Sequence, residues 1–272
     1  MVIGNKGYRH LENNVTQDRL STFLGPSKAI QTGKDSVILL LSRIERGAFS
    51  QDLYGVAGVT FPNTLDKAVE KRRADYLAGR MLALRALAHF GCQPAHLPIG
   101  PDRAPVWPRG INGTISHTQN WCAVILTNQP GLFVGVDVEA NLNMSSMKSV
   151  SKIVLDEDED DVILGSNIPR AIALAAAFSG KETLFKGLYP LVGEFFGFEA
   201  ARLKTISETK GIEFILTCDL ANELPNGQTH SVNLMSFAQH VLTWHIFQPN
   251  PPDPLHKTAD RLSPIRPRGS RT

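Results

Sequence analysis

The chain of 272 residues has little net charge, few cysteines and no histidine cluster. Its 28 basic and 26 acidic side chains give a formal charge of +2, which argues against a dedicated DNA-binding protein. The three cysteines, Cys92, Cys122 and Cys218, form no CxxC motif and cannot all pair within one chain. They are typical of buried thiols in a reducing compartment. The eight histidines form no HxxxH motif, which argues against a zinc site.

Long hydrophobic runs are also missing. The aliphatic run Val37–Leu41 is far shorter than the ~20 apolar residues that a membrane-spanning helix needs. Residues 1–14 lack the apolar segment that a secretory signal peptide requires. We therefore expect a cytoplasmic protein without a membrane partner.

The apolar spacing predicts an α+β protein rather than a doubly wound sheet, because the predicted helices do not alternate strictly with strands. One helix is predicted over 65–90, before Gly91, and another from Arg170 to about Tyr189, ended by Pro190. Strands are predicted at 37–41, 113–117, 122–127, 132–139, 201–208, 212–220 and 241–247.

The order of these elements predicts two similar halves that meet near Pro130. The halves would cover residues 34–130 and 131–248. Residues 1–33 are polar and weakly patterned, and we expect them to form a loose arm. Residues 249–272 are basic, rich in proline and poor in apolar side chains, which predicts a disordered tail.

Two acids lie on one predicted strand, in the segment Gly135-Val136-Asp137-Val138-Glu139. Asp137 and Glu139 are two residues apart and project from the same face, while the valines supply the opposite, buried face. Two carboxylates about 7 Å apart on a rigid strand suit a hard divalent cation. On spacing alone, an exposed strand face with incidental acids is the commoner meaning of this pattern.

A second pair of charged residues, Glu182 and Lys186, is spaced i,i+4 on the predicted second helix. Such pairs are usually surface ion pairs worth about 0.3–0.5 kcal/mol. Here Phe178, Phe185 and Tyr189 neighbour the same surface, which favours a cleft over open solvent.

Two further groups could hold phosphate. Ser116 and His117 follow a predicted strand, and their hydroxyl and imidazole groups can bind phosphate oxygens. They lack the GxSxG motif of a nucleophile elbow, and a lone histidine is more often structural. Arg72 and Arg80 lie two turns apart on roughly one helix face. This face could be exposed to solvent, or it could bind a polyphosphate. Arg73 points elsewhere and should face solvent or a partner.

From Arg72 to Phe198 the chain resembles the Sfp-type 4′-phosphopantetheinyl transferases, in particular the enterobactin-synthetase subgroup and its mycobacterial relatives. The specific part is the pair of motifs G-V-D-V-E and K-E-x-x-x-K at this separation, and Phe178 stands where much of the wider family has tryptophan. The segments that carry the resemblance are R-R-A-D-Y-L-A-G-R (72–80), A-P-V-W-P (104–108), T-I-S-H-T (114–118), G-V-D-V-E (135–139), F-S-G-K-E-T-L-F-K (178–186) and G-F-E-A-A (197–201).

The resemblance implies two pseudo-symmetric α+β subdomains in one chain, with the active site in the cleft between them. It implies transfer of phosphopantetheine from coenzyme A to an apo acyl or peptidyl carrier protein. It places Mg²⁺ or Mn²⁺ on Asp137, Glu139 and Glu182, and lets Glu182 accept the serine proton with Lys186 as the second catalytic group. The coenzyme A contacts would come from Arg72, Arg80, Arg103, Ser116, His117, Asp137, Lys181 and Lys186.

Two other functions use the same residues. A metal-dependent pyrophosphohydrolase of coenzyme A or a nucleotide would need the same acids and cations, with water as the nucleophile. A non-catalytic coenzyme A-binding protein is the third possibility, although all three acids and both lysines are present. We expect a monomer without a nucleic-acid partner in each case.

Overall fold

The computed structural model describes residues 17–94, 96–100 and 104–249, which form two antiparallel sheets. The first sheet has the strand order β1-β2-β4-β3, and the second has the order β5-β9-β8-β7-β6. The strands are β1 (Lys28–Ile30), β2 (Val37–Arg43), β3 (Asn112–His117), β4 (Trp121–Thr127), β5 (Phe133–Ala140), β6 (Ala201–Ser207), β7 (Gly211–Leu216), β8 (Thr229–Phe237) and β9 (His240–Phe247).

Each sheet packs against one long helix. The helices are α1 (Leu53–Val56), α2 (Glu70–Ala88), α3 (Met144–Val154), α4 (Glu157–Gly165) and α5 (Arg170–Val192), with short 3-10 turns at Arg46–Ala48, Asn63–Leu65 and Phe198–Ala200. Helix α2 covers the first sheet, and α5 covers the second. This arrangement confirms the predicted α+β fold with two subdomains.

A third apolar cluster joins the two sheets. Val134, Val136 and Val138 of β5 are buried with Leu39 and Ile125 of the first sheet. The valines therefore face the first sheet, and the alternating residues of β5 face α5, because successive side chains of a strand point to opposite sides. The predicted division of β5 into a buried apolar face and an acidic face is present in the structure.

The edges of the two sheets meet at β3 and β5. The hydroxyl of Thr114 accepts a hydrogen bond from the backbone N–H of Val136 at 2.9 Å, and that of Ser116 accepts one from Val138 at 3.4 Å. Side chains of β3 thus satisfy N–H groups that an edge strand would leave unpaired. This contact brings the motif T-I-S-H-T of the first half beside the motif G-V-D-V-E of the second.

Several predicted boundaries differ from the structure. Helix α2 begins at Glu70 because residues 63–65 form a separate 3-10 turn. Helix α5 continues through Pro190 to Val192 and ends at Gly193, whose left-handed φ of 75° suits glycine. Close to the end of a helix, a proline removes one backbone hydrogen bond without breaking the preceding turns.

The N-terminal region and one strand were predicted wrongly. Within the expected loose arm, residues 17–23 are helical, β1 pairs with β2, and Phe23 and Leu24 are fully buried. Strand β8 was missed because its apolar alternation is weak: of its two buried positions, one is Val232 and the other is the polar His230. The tail 250–272 lies outside the described residues, so its disorder stays a prediction, as do the boundaries of the two halves. Within the described ranges, no helix combines the length and apolar character needed to cross a membrane.

Candidate active site

Strand β5 carries Asp137 and Glu139 on its helix-facing side, at the junction of the two sheets. The Asp137 side chain is almost completely buried, with 1% of its surface exposed. A buried carboxylate needs partners, because the loss of its hydration is costly. The partners come from two directions: α5 above the sheet and β3 at its edge.

Helix α5 approaches β5 with backbone contact. A methyl group added at Gly135 would clash with the carbonyl oxygen of Thr183 and with the backbone of Gly187. A methyl group added at Gly187 would lie only 3.1 Å from the backbone of Gly135, so the absence of a side chain at both positions favours this separation. The close crossing brings the Glu182 and Lys186 side chains of α5 over the acids of β5.

A buried set of hydroxyl groups connects α5 to β9. The Thr243 hydroxyl lies 2.6 Å from that of Thr183 and 2.8 Å from that of Ser179, and Thr243 pairs with Asp137 across the two strands. Hydrogen bonds between buried hydroxyl groups require a particular geometry, whereas apolar packing alone would allow α5 to shift along the sheet. We infer that these bonds hold Glu182 and Lys186 in their position along β5.

Lys186 is the central cation of the site. Its Nζ donates to Asp137 Oδ1 at 2.5 Å and to Ser116 Oγ at 3.4 Å, and it lies 3.7 Å from Glu182 Oε2. The Ser116 hydroxyl also donates to Asp137 Oδ1 at 2.7 Å. The structure therefore brings together four of the predicted residues, one from the first half of the chain and three from the second.

The electrostatics show an excess of carboxylate around this lysine. Burial, with the charges of Asp137 and Glu182, raises the pKa of Glu139 to about 8, against the opposing effect of Lys186. Burial also raises the pKa of Glu182. Burial opposes the charged form of Lys186, but the neighbouring carboxylates, chiefly Asp137, more than offset it and raise the lysine's pKa. The site would accept further positive charge.

The donor set suits a hard divalent cation in its chemistry. Asp137 Oδ2 is buried and has no hydrogen-bond partner among the described residues, and carboxylate oxygens are the ligands that Mg²⁺ prefers. Across the part of the chain that the structure describes, however, no three His, Cys, Asp or Glu side chains are gathered as a metal-binding group. The oxygens fit the ion, whereas the arrangement is not a preformed three-carboxylate site.

His117 and Arg72 border this cluster from the first half. The His117 side chain is 30% exposed, and its Nδ1 lies 3.6 Å from Asp75 Oδ2. Burial lowers the His117 pKa, the charge of Asp75 raises it, and the charges of Arg72 and Lys186 lower it further. Arg72 is exposed in the first turn of α2. Its guanidinium is therefore accessible to an anionic ligand.

Lys181 does not reach the site. Its side chain is 2% exposed, and its Nζ lies 2.6 Å from Glu159 Oε1 and donates to the carbonyl oxygens of Val154 and Phe198. Glu159 also forms a capping box with Asp156 at the start of α4. The expected phosphate contact of Lys181 is wrong in this structure, because the lysine points to the opposite side of α5 from Lys186.

Arg80 and Arg73 also differ from expectation. Arg80 is buried, donates to the carbonyl oxygens of Leu97 and Pro98, and lies 4.5 Å over the ring of Tyr76. It lines a cavity of about 290 Å³ together with Tyr76 and Leu84 of the same helix. Arg73 donates to the carbonyl oxygens of residues 65 and 66 instead of facing solvent. Arg103 lies outside the described residues.

Aromatic side chains flank the Glu182 side of α5, as the sequence predicts. Phe178 contacts Phe198, and Phe185 contacts Tyr189, Phe195 and Phe196. Glu182 is 29% exposed and Lys186 26%, so the pair is accessible but partly shielded. This is the environment of a cleft wall rather than of an open helix surface.

Sequence reasoning missed Asp75, Arg46 and Thr243. Asp75 lies three residues after Arg72 and is the one acid in the motif R-R-A-D-Y-L-A-G-R, which was the available signal. Arg46 contacts Asp75 from a 3-10 turn with no motif of its own. Thr243 lies in an apolar strand, where a single polar residue is a weak signal.

Two protein-family models match the chain, one in each half. Residues 61–127 match the 4′-phosphopantetheinyl transferase N-terminal domain. Residues 133–243 match the 4′-phosphopantetheinyl transferase superfamily. The two matches together cover more than half of the chain and contain every site residue described above except Arg46.

Named relatives agree with these matches. The chain is 34% identical to enterobactin synthase component D of Salmonella typhi over 145 residues, which are 53% of this chain and 60% of that protein. It is 33% identical to the Escherichia coli K12 protein of the same name over 124 residues, 45% and 57% of the two chains. It is 31% identical to the 4′-phosphopantetheinyl transferase Npt of Nocardia iowensis over 140 residues, 50% and 61%.

The matches span about 60% of the length of these relatives. They confirm the resemblance to the enterobactin-synthetase type that the two acidic motifs indicate. With both halves matched in order and the four motif residues in mutual contact, the chain belongs to the 4′-phosphopantetheinyl transferase superfamily.

Proposed function

We propose that this protein transfers the 4′-phosphopantetheine group of coenzyme A to a serine of an apo acyl or peptidyl carrier protein. A bond forms between the serine oxygen and the β-phosphorus of coenzyme A, the bond to the bridging pyrophosphate oxygen breaks, and 3′,5′-ADP leaves. The observation that carries this proposal is the cluster of Ser116, Asp137, Glu182 and Lys186 at the junction of the two halves. Relatives named as phosphopantetheinyl transferases support it.

The cations of the site would hold the phosphates. Charge builds on the phosphoryl oxygens during transfer, so fixed positive groups lower the barrier. Lys186 is 26% exposed beside Asp137, so its ammonium is accessible to a phosphate oxygen. His117 and Arg72 would hold the nucleotide end, and Ser116 would donate to a phosphate oxygen.

The carboxylates would hold Mg²⁺ or Mn²⁺, with Asp137, Glu139 and Glu182 as the ligands. When bound, the ion would neutralise charge on the pyrophosphate. Asp137 Oδ2 is the available buried oxygen, and the raised pKa values of the two glutamates follow from the same crowding of negative charge that a cation would relieve.

Glu182 would accept the proton of the attacking serine. A general base must be within reach of the nucleophile and have a pKa closer to neutrality than an exposed carboxyl group. Burial raises the Glu182 pKa, while its partial exposure leaves one side open to a protein substrate. Lys186, one turn away, would stabilise the carboxylate before the proton arrives.

Intact-mass spectrometry of apo carrier proteins incubated with this chain, Mg²⁺ and coenzyme A tests the proposal. We expect one phosphopantetheine group to be added to at least one carrier, and no addition to a variant whose acceptor serine is replaced by alanine. Release of 3′,5′-ADP without any carrier would instead indicate pyrophosphohydrolysis. Coenzyme A binding with neither product would indicate a non-catalytic binding protein.

A further inference from the structure

A buried charge network lies behind His117, on the side away from Lys186. Asp75 of α2 is 4% exposed, and its two carboxylate oxygens have different neighbours. Oδ1 forms an ion pair with Arg46, and Oδ2 faces His117 Nδ1 at 3.6 Å. The carboxylate therefore sits between a permanent cation and a titratable ring.

Arg46 forms hydrogen bonds with two other segments of the chain beside the Asp75 carboxylate. Its Nε donates to the carbonyl oxygen of Gln119 at 2.5 Å and its Nη2 to that of Thr118 at 2.8 Å. Its Nη1 donates to the carbonyl oxygen of Lys71 at 3.2 Å. Arg46 thus fastens the turn that follows His117 to the first turn of α2, the turn that carries Arg72.

We propose that Asp75 and Arg46 are positioning residues that set the orientation and protonation of His117. The ring keeps its proton on Nδ1, which faces the Asp75 carboxylate, so Nε2 is the nitrogen left to face the junction of the two halves. When an anion binds there, the same carboxylate stabilises the imidazolium, whose Nε2 proton is donated to a phosphate oxygen. Arg46 pairs with the carboxylate and holds its position.

The arrangement of charges supports this assignment over a purely structural ion pair. A pair formed only for stability gains little from burial, because the lost hydration of both groups offsets their attraction. The cations that surround His117, namely Arg72, Lys186 and Arg46, all disfavour its protonation, and Asp75 is the group that favours it. Without Asp75, the fixed charges around the ring would all oppose the imidazolium, and only the bound anion would favour it.

Nitrogen-15 NMR of the wild-type protein tests the tautomer without any change near the site. At pH 8, where the ring is neutral, we expect the His117 signals to report a proton on Nδ1 and a bare Nε2. Comparison with a His117→Gln spectrum identifies the signals. A proton on Nε2 with a bare Nδ1 would overturn the proposal, whatever the enzyme's activity.

Calorimetric titration with 3′,5′-ADP tests the consequence for binding. This part rests on the proposed function, because it assumes that His117 contacts the 3′-phosphate. We expect Asp75→Asn to weaken 3′,5′-ADP about tenfold, the size of one weakened charge-assisted hydrogen bond, and to leave 5′-AMP unchanged. Asp160→Asn, which removes the charge of an ion pair on α4, is the matched control and should change neither ligand.

The two measurements separate the possible failures. If the wild-type protein does not bind 3′,5′-ADP, the proposed function is wrong, while the tautomer still tests the role of Asp75. If Asp75→Asn folds and binds 3′,5′-ADP as the wild type does, the positioning role is wrong and the proposed function stands. If Asp75→Asn does not fold, the wild-type spectrum decides.

Discussion

The two lysines of α5 lie in opposite environments although they belong to one short motif. Lys186 reaches Asp137 and Glu182 at the junction of the sheets and is 26% exposed. Lys181 is buried on the other side of the helix against Glu159 and two carbonyl oxygens. Five residues on a helix correspond to about 140° of rotation, so the two cannot serve one ligand from the same face.

The two lysines of the motif K-E-x-x-x-K therefore differ in role: Lys181 is structural, and Lys186 is the candidate for ligand binding. Lys181 attaches α5 to α3, to α4 and to the turn before β6, and every donor of its ammonium has an acceptor within the chain. Lys186 has partners that are themselves candidates for ligand binding. A lysine with only internal partners contributes to folding, whereas one that shares its partners with a ligand can contribute to the reaction.

The largest effect is expected on stability, from Lys181→Met. Removing one partner of a buried ion pair leaves the other charge uncompensated, which typically costs about 3–5 kcal/mol. Urea unfolding followed by circular dichroism measures the change. Lys186→Met is the matched comparison. It should lose transfer activity, and its loss of stability should be smaller, because Lys186 is 26% exposed and Ser116 still donates a hydrogen bond to Asp137.

The comparison has an internal control. In the double variant Lys181→Met, Glu159→Leu, no charge is left unpaired, and we expect most of the lost stability to return. Equal destabilisation by Lys181→Met and Lys186→Met would contradict the division of the helix into two functional sides. Loss of coenzyme A binding in a fully stable Lys181→Met variant would restore the phosphate role of that lysine.

The next effect concerns the side of α5 that faces Asp137, and the variant is Glu182→Gln. Glutamine keeps the length and one oxygen but loses most of the basicity, so we expect single-turnover transfer to fall by at least about 10²-fold. Coenzyme A should still bind. Measuring transfer across a Mg²⁺ titration with saturating carrier separates the two duties, because full rescue at millimolar Mg²⁺ would leave Glu182 as a ligand only.

A smaller effect concerns pH and the sheet beneath α5, away from the site. His230 and His245 are buried side by side, with Nδ1 and Nε2 3.3 Å apart, and burial lowers their pKa values to about 4 and about 3. Both rings stay neutral in the folded state while the unfolded chain takes up protons below about pH 6.5. Stability is therefore full above that pH and is lost as the pH falls toward 4.

The expected loss between pH 7 and 5.5 is about 2 kcal/mol for the pair, since each protonation adds about 1.4 kcal/mol per pH unit. Urea unfolding at the two pH values measures it. His245→Gln should reduce the loss, and His89→Gln, a change of an exposed histidine, should not. If all three proteins lose the same stability, the buried pair is not the cause.

The smallest effect is expected from Arg72 and Arg80 of α2. One is exposed and the other is buried, as with the two lysines of α5. Arg72→Ala removes an exposed cation, and we expect the KM for coenzyme A to rise about tenfold with an unchanged melting temperature. Arg80→Ala removes a buried side chain that packs on Tyr76 and holds the 97–98 segment, so it should lower the melting temperature. If both variants raised the KM for coenzyme A equally, we would conclude that both arginines contact coenzyme A.

Local pattern predicted most of the strands and both long helices. The alternation in G-V-D-V-E placed the acids opposite the valines correctly, because the period of a strand depends only on backbone geometry. The predictions failed where polar residues are buried and where apolar residues follow no regular spacing. Glu159 is one of several acids in the segment 156–161, and nothing in that segment marks it as the buried partner of Lys181. Residues 17–33 looked like a loose arm, because tertiary partners are invisible in a single segment.

The sequence by itself determined the order of elements, the face on which the acids lie and the membership of a family, since all three depend on residue type and spacing. Only the tertiary structure decided which cations meet those acids. A helix motif shows that two lysines are five residues apart, but the close crossing at Gly135 and Gly187 decides which lysine faces Asp137. The partner of His117 is likewise set by packing, because Asp75 and Arg46 reach it from segments distant in the chain.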